Sequence, residues 1–169
     1  EFSYDGNGNI VKLTENGVRV NQYEYDANNN LTKTIDALGN VTNYTYNAMD
    51  RNISKVNVMG TEAKYAYDVA GRIVKFANEA GDESFVEYDP NGNVVSSTKE
   101  NGAKSSYGYD SLNMLVSETD PLGNITQYEY TANGKLATVI DALGGRTTNT
   151  YDSVGNITAT TDPIGVTTK

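Results

Sequence analysis

Tyr109 to Tyr130 reads YDSLNMLVSETDPLGNITQYEY. A Tyr-Asp pair opens it, an Asp-Pro-Leu-Gly-Asn turn divides it, and a Tyr-x-Tyr step closes it on the first residue of another copy. Tyr4, Tyr25, Tyr46, Tyr67, Tyr88, Tyr109, Tyr130 and Tyr151 stand at a constant spacing of 21 residues. Self-similarity at a fixed period marks a repeat architecture, in which each unit buries apolar surface only against its neighbours.

With the tyrosine as position one, all 13 tyrosines fall at position one or position twenty. The second ladder is Tyr23, Tyr44, Tyr65, Tyr107 and Tyr128; Phe2 extends it backwards, and Val86 and Asn149 fill its other rungs. Two residues separate the ladders, so Tyr23 and Tyr25, or Tyr128 and Tyr130, fall on one face of a strand. The residues between them (Glu24, Thr45, Ala66, Glu87, Gly108, Glu129) are polar or small, which is strand alternation. Position seven starts a second strand at Ile10, Leu31, Ile73, Val94, Leu115, Leu136 and Ile157, with Asn52 breaking the series. These runs are rich in Val, Ile, Thr and Ser and too short for good helices.

Two kinds of turn separate the strands. One carries Asn7-Gly8, Ala70-Gly71, Asn91-Gly92, Asn133-Gly134 or Val154-Gly155; the other carries Leu38-Gly39, Leu122-Gly123, Leu143-Gly144 or Ile164-Gly165. Gly and Asn suit positive φ, and Pro121 and Pro163 suit the first corner. Gly17 comes one residue early, and Asp50-Arg51-Asn52 departs from the pattern. The expectation is an all-β repeat array of antiparallel β-hairpins, with residues 1–169 as a single array of eight periods. Sixteen strands ~4.8 Å apart would make a strip roughly 75 Å long, and wide twisted sheets curl, so a curved or spiralling strip is expected. Tyrosine pairs are expected to stack across neighbouring hairpins. The chain starts and stops inside a repeat, as a window from a longer protein would, and open sheet edges invite self-association.

Composition narrows the chemistry. The sequence has no His, no Cys and no Trp, so it offers no imidazole base, thiol nucleophile, disulfide or zinc-thiolate site. With 13 basic and 22 acidic residues the net charge is −9, without the clustered Lys and Arg that nucleic acid or anionic lipid requires. No apolar run reaches the length of a membrane span.

Tyr88-Asp89-Pro90-Asn91-Gly92-Asn93-Val94, together with Asp120-Pro121-Leu122-Gly123-Asn124 and Asp162-Pro163-Ile164-Gly165, resembles the YD repeat, also called the Rhs repeat. The resemblance covers the whole chain. The family includes bacterial Rhs polymorphic toxins, wall-associated proteins, Tc toxin components and teneurins. It implies a long spiralling β-sheet enclosing a chamber, a secreted or cell-surface location, and, in the toxins, a sequestered toxic domain as partner. The conserved core where such toxins cleave themselves is absent here, so the scaffold role carries over and autoproteolysis does not.

Sharper chemical readings compete with this one. Asp5-Gly6-Asn7-Gly8-Asn9 looks like the start of a calcium loop, but Ile10 and Asn16 stand where such a loop needs Gly and a bidentate Glu. Asp26, Asp68, Asp89, Asp110 and Asp152 recur every period or two, as turn caps do and a single glycosidase dyad does not. Hence no enzyme activity, metal or cofactor is expected. The tyrosine ladders, read as packing, could alternatively stack on sugars, which makes an extracellular carbohydrate-binding or adhesion module the rival function. Sequons at Asn30, Asn40, Asn52, Asn124 and Asn156 arise wherever a turn Asn precedes a strand Thr or Ser.

Overall fold

Alternating, β-branched segments of five or six residues bounded by Asp/Asn and Gly leave this chain little choice but hairpins. The structure, a computed structural model, describes residues 1–169 with the exception of the Arg19 side chain. It contains seventeen strands and no helix among the described residues. They lie in two compact units, Glu1–Ser84 and Phe85–Lys169. In the first, β1 (Phe2–Tyr4), β2 (Ile10–Glu15), β3 (Arg19–Tyr25), β4 (Leu31–Ile35), β5 (Val41–Tyr46), β6 (Asn52–Val56), β7 (Glu62–Tyr67) and β8 (Ile73–Ala77) each pair antiparallel with the next. The second repeats the meander through β9 (Glu83–Tyr88), β10 (Val94–Thr98), β11 (Lys104–Tyr109), β12 (Leu115–Thr119), β13 (Ile125–Tyr130), β14 (Leu136–Ile140), β15 (Arg146–Tyr151), β16 (Ile157–Thr161) and β17 (Thr167–Thr168). Strands begin at position seven in every period, Asn52 included. The count exceeds sixteen because β1 and the two-residue β17 are parts of flanking hairpins.

The two kinds of turn share one backbone. At Asp36 the Gly39 N–H donates to the Asp36 carbonyl at 2.9 Å, and the Asp36 N–H donates to the Asn40 carbonyl at 3.0 Å. Asp152, Gly155 and Asn156 repeat this at 3.1 and 2.9 Å. Both are three-residue hairpin loops, a type I turn followed by a left-handed residue, here Gly39 at φ 83° or Gly155 at φ 95°. The aspartate side chain holds the loop: Asp36 Oδ1 accepts the Leu38 and Asn40 N–H groups at 2.8 and 2.9 Å. Asn47, Asn57 and Asn78 do the same with their amide oxygens. The early Gly17 has its own cause. Asn16 and Gly17 both take positive φ (52° and 70°), and the Val18 N–H donates to the Glu15 carbonyl at 3.2 Å, in a turn whose flanks pair Glu15 with Arg19.

The hairpins differ at the ladder. After the turn at positions two to six, Leu31 faces Tyr25 but Lys33 faces Glu24, leaving Thr32 as an extra residue. The same skip falls at Val11, Ile53, Val74, Val95, Val116, Ala137 and Thr158. A β-bulge therefore occupies position eight of every period, bending its strand and increasing local twist. The turn at positions twelve to sixteen has none: Ile35 faces Val41 and Thr34 faces Thr42.

Register also assigns the faces. Position ten lies opposite position twenty on one side (Thr34 and Tyr23) and position eighteen on the other (Thr34 and Thr42), so these share a face with Tyr25. Positions nine, eleven, seventeen, nineteen and twenty-one form the opposite face, which carries most of the strand charges together with Ile35, Val41, Val56 and Ile140. Neither face closes over a core. Among the described residues the buried side chains are the small Ala63, Ala77, Ser54, Ser96 and Thr138, and no large side chain is fully buried.

Because Gly123 sits at φ 87°, Gly123→Ala is expected to cost about 1–2 kcal/mol. Gly6 is not left-handed and an added methyl would meet nothing within 4 Å, so Gly6→Ala should gain about 0.4–1 kcal/mol. Urea titration of the two variants checks the contrast.

Candidate functional site: the tyrosine face

Position-one tyrosines close a gap that the bulge opens. The β4–β5 ladder runs only from Lys33–Asn43 to Ile35–Val41, so Leu31 lies beyond it. The Tyr46 hydroxyl crosses that gap and donates to the Leu31 carbonyl at 2.8 Å. Tyr25 reaches Ile10, Tyr67 reaches Asn52, Tyr130 reaches Leu115 and Tyr151 reaches Leu136 in the same way, at 3.1, 2.6, 2.8 and 2.7 Å. Each bond spans 15 residues and joins one repeat to the one before it. A strand-end carbonyl is thus bonded by the residue type at fixed spacing; that of Leu136 also accepts the Asn149 side-chain amide at 3.2 Å.

The position-twenty tyrosines behave less uniformly. The Tyr128 hydroxyl donates to Glu118 Oε2 at 3.2 Å, and Tyr65 packs on Phe76 with ring centroids 5.3 Å apart and planes tilted 35°. Burial raises the hydroxyl pKa of Tyr46, Tyr109 and Tyr128, with Glu118 adding to the effect at Tyr128. Ring-on-ring stacking between the tyrosines of successive hairpins was the expectation from sequence. The rings that meet include instead Phe2 with Tyr4 and Tyr65 with Phe76. Spacing two strands apart exceeds aromatic contact distance, while the phenol hydroxyl reaches the intervening strand. Val86, Tyr88, Val94, Ser97, Tyr107 and Tyr109 line a shallow hollow on this face of the second unit.

The opposite face carries ion pairs. Lys33 meets Glu24 at 2.8 Å, Lys75 meets Glu83 at 2.6 Å, and Arg146 meets Glu129 at 2.7 Å. All are substantially exposed, so each contributes at most about 1 kcal/mol.

Turn aspartates answer the enzymatic reading. Asp36 and Asp120 have pKa values lowered first by the side-chain N–H of Asn40 or Asn124 and then by its backbone N–H; at Asp152 the Asn156 backbone N–H leads. These carboxyls are held ionised, opposite to the raised pKa of a glycosidase general acid. At Asp5, the calcium candidate, Oδ1 accepts the Asn7 and Asn9 N–H groups and Oδ2 the Asn9 side-chain amide. No group of three or more His, Cys, Asp or Glu side chains suited to a metal occurs among the described residues. No helix is long and apolar enough to cross a membrane.

Sequence reading passed over Asn29 and Asn113 and took Asp50 only as part of a departure from the pattern. They take the left-handed turn position, at φ 67°, 56° and 62°, that Gly fills in the other periods. A break in the glycine series was the available signal.

The sequence profile described as Teneurin YD-shell matches residues 1–131. No curated protein sequence matches the chain. Among solved structures, the Photorhabdus luminescens Tc holotoxin pore shares the fold at a TM-score of 0.51 and 13% identity, over 95% of this chain and 12% of that one. The TcdB2-TccC3 crystal structure without its hypervariable C-terminal region aligns at a TM-score of 0.46 and 17% identity, over 99% of this chain and 13% of that one. The chain thus spans about an eighth of the length of these toxin chains.

Two outcomes follow from this geometry. Tyr46→Phe should cost about 0.5–1.5 kcal/mol by removing the bond to the Leu31 carbonyl, while Tyr4→Phe, at a residue 59% exposed, should change stability by less than about 0.5 kcal/mol; chemical denaturation distinguishes them. Since the folded aspartates titrate below 3.8, their stabilisation is complete above that pH and is lost as pH falls through their lowered values. Urea midpoints measured from pH 6 down to pH 2 should therefore drop below about pH 4, and Asp36→Asn with Asp120→Asn should make the drop smaller while preserving the turns.

Proposed function

The chain belongs to the teneurin YD-shell family, and on that premise we propose that residues 1–169 act as one continuous stretch of wall in a larger shell that encloses a cargo domain of its parent protein. One observation carries the reading: every period yields a sheet with two chemically different faces and no interior. Such a layer separates two compartments. Among the described residues the hollow on the tyrosine face is shallow and open, unlike the enclosed clefts in which catalysis surrounds and desolvates a substrate.

The tyrosine ladder is the fastening of this wall. Tyr4, Tyr25, Tyr46, Tyr67, Tyr88, Tyr109, Tyr130 and Tyr151 form one row, and Tyr23, Tyr44, Tyr65, Tyr107 and Tyr128 the other. The hydroxyl-to-carbonyl bonds of Tyr46 and its counterparts support this role, since each ties a repeat to its predecessor. The work is structural, not enzymatic. The cargo is a toxin or other domain of the parent chain, and the protein acts at a bacterial surface or after secretion.

Protease digestion of the full-length parent tests the proposal. The cargo domain should resist cleavage until denaturant opens the array. Digestion at the rate of the same domain expressed alone would overturn the shell reading.

A further inference from the structure

The three non-glycine residues at position five are not scattered at random. Asn29 follows a repeat with Asn at positions four and six, and both amides donate to it: Asn7 at 2.9 Å and Asn9 at 2.8 Å, onto Asn29 Oδ1. Asp50 follows Asn28 and Asn30, whose amides reach Asp50 Oδ1 at 2.8 and 2.7 Å. Asn113 follows Asn91 and Asn93, at 2.9 and 2.8 Å. In each case one side-chain oxygen receives two donors from the preceding turn.

Elsewhere position five is glycine, and the preceding position six carries a long side chain. A Cβ built on Gly71 would fall 2.5 Å from the Arg51 guanidinium, which also donates to the Asp68 carbonyl at 3.3 Å and lies 5.8 Å from the Tyr67 ring centroid. A Cβ on Gly155 would crowd the end of Lys135 at 3.1 Å, whereas one on Gly134 would touch the Met114 sulfur at 3.7 Å, an ordinary contact. In sequence, Arg72 stands before Gly92 in the same relation. Backbone demand alone does not explain the choice. Glycine is the easiest residue at positive φ, yet it is replaced only after an Asn pair.

We infer that positions four, five and six form a recognition surface whose partner is the following repeat of the same chain. An Asn pair selects a neighbour offering an amide or carboxylate oxygen at position five. An Arg or Lys side chain at position six, laid over the next turn, favours a neighbour with glycine there. The surface fixes which repeat stacks after which, a property that neither the tyrosine ladder nor the shared turn backbone supplies, because both are the same at every junction they form.

The test measures coupling. Gly71→Asn should lower the melting midpoint by about 2–4 °C or more in the wild-type chain. In a Met49→Asn, Arg51→Asn background, the same change should lose less than half as much; equal losses in the two backgrounds would overturn the inference. Asn29→Gly gives a second reading, since glycine tolerates the left-handed backbone and the fold is kept. Hydrogen exchange of the Asn7 and Asn9 side-chain amides, followed by NMR, should accelerate several-fold, and unchanged exchange would count against the pairing. Asp50→Asn retains an acceptor oxygen and should leave exchange at Asn28 and Asn30 within about twofold of wild type; acceleration as large as in Asn29→Gly would contradict acceptor recognition.

Discussion

A carboxylate or amide oxygen accepting two backbone N–H groups, at the first residue of most of the hairpin loops, is the interaction on which the rest of this structure depends. Asp36 Oδ1 with Leu38 and Asn40 is one instance, and Asp152 Oδ1 with Val154 and Asn156 is another. It fixes the type I turn, which delivers the left-handed residue, which sets the strand register. From register come the two faces, the bulge and the strand-end carbonyl that the tyrosine reaches. No layer behind the sheet could correct a slipped turn, because a shift of one residue would exchange the faces along the whole strand.

Much of this was legible from residues alone, and the legible part was whatever repeats in side-chain identity. The strand starts at Ile10, Leu31, Val94 and Leu136 follow from position seven, and the turns follow from Asp, Asn and Gly. The bulge was not legible. Its residue is Val, Thr, Ile or Ala (Val11, Thr32, Ile53, Ala137), so it has no compositional mark and shows only in the pairing of Tyr25 with Leu31 beside Glu24 with Lys33. The tyrosine contacts were misread for a related reason. Their spacing was correct, but periodicity along a chain does not reveal whether a ring meets another ring or a hydroxyl meets a carbonyl. The division of turns into two kinds likewise rested on different side chains over one shared backbone.

Stability in such a layer is assembled from nearest neighbours. Each hydroxyl-to-carbonyl bond contributes about 0.5–1.5 kcal/mol, and the exposed ion pairs of the face opposite the tyrosines contribute less. With Ala63 and Ala77 as the buried apolar residues, the usual hydrophobic interior is largely replaced by hydrogen bonds and by side chains laid along the sheet surface. This explains how a chain with 37% hydrophobic residues sustains regular structure throughout.

Two strands per period has a consequence at the level of the gene. An even number of strands returns the chain to the same rim, pointing the same way, with the same face outward. Unequal recombination that removes or duplicates one such unit therefore rejoins coding sequence to coding sequence without inverting any strand. Loss of Tyr25–Thr45, for example, would bring the Asn7 and Asn9 turn against Asp50, another acceptor. Repeat number can then drift between lineages while the layer stays whole, and selection is left to act on how far the sheet extends.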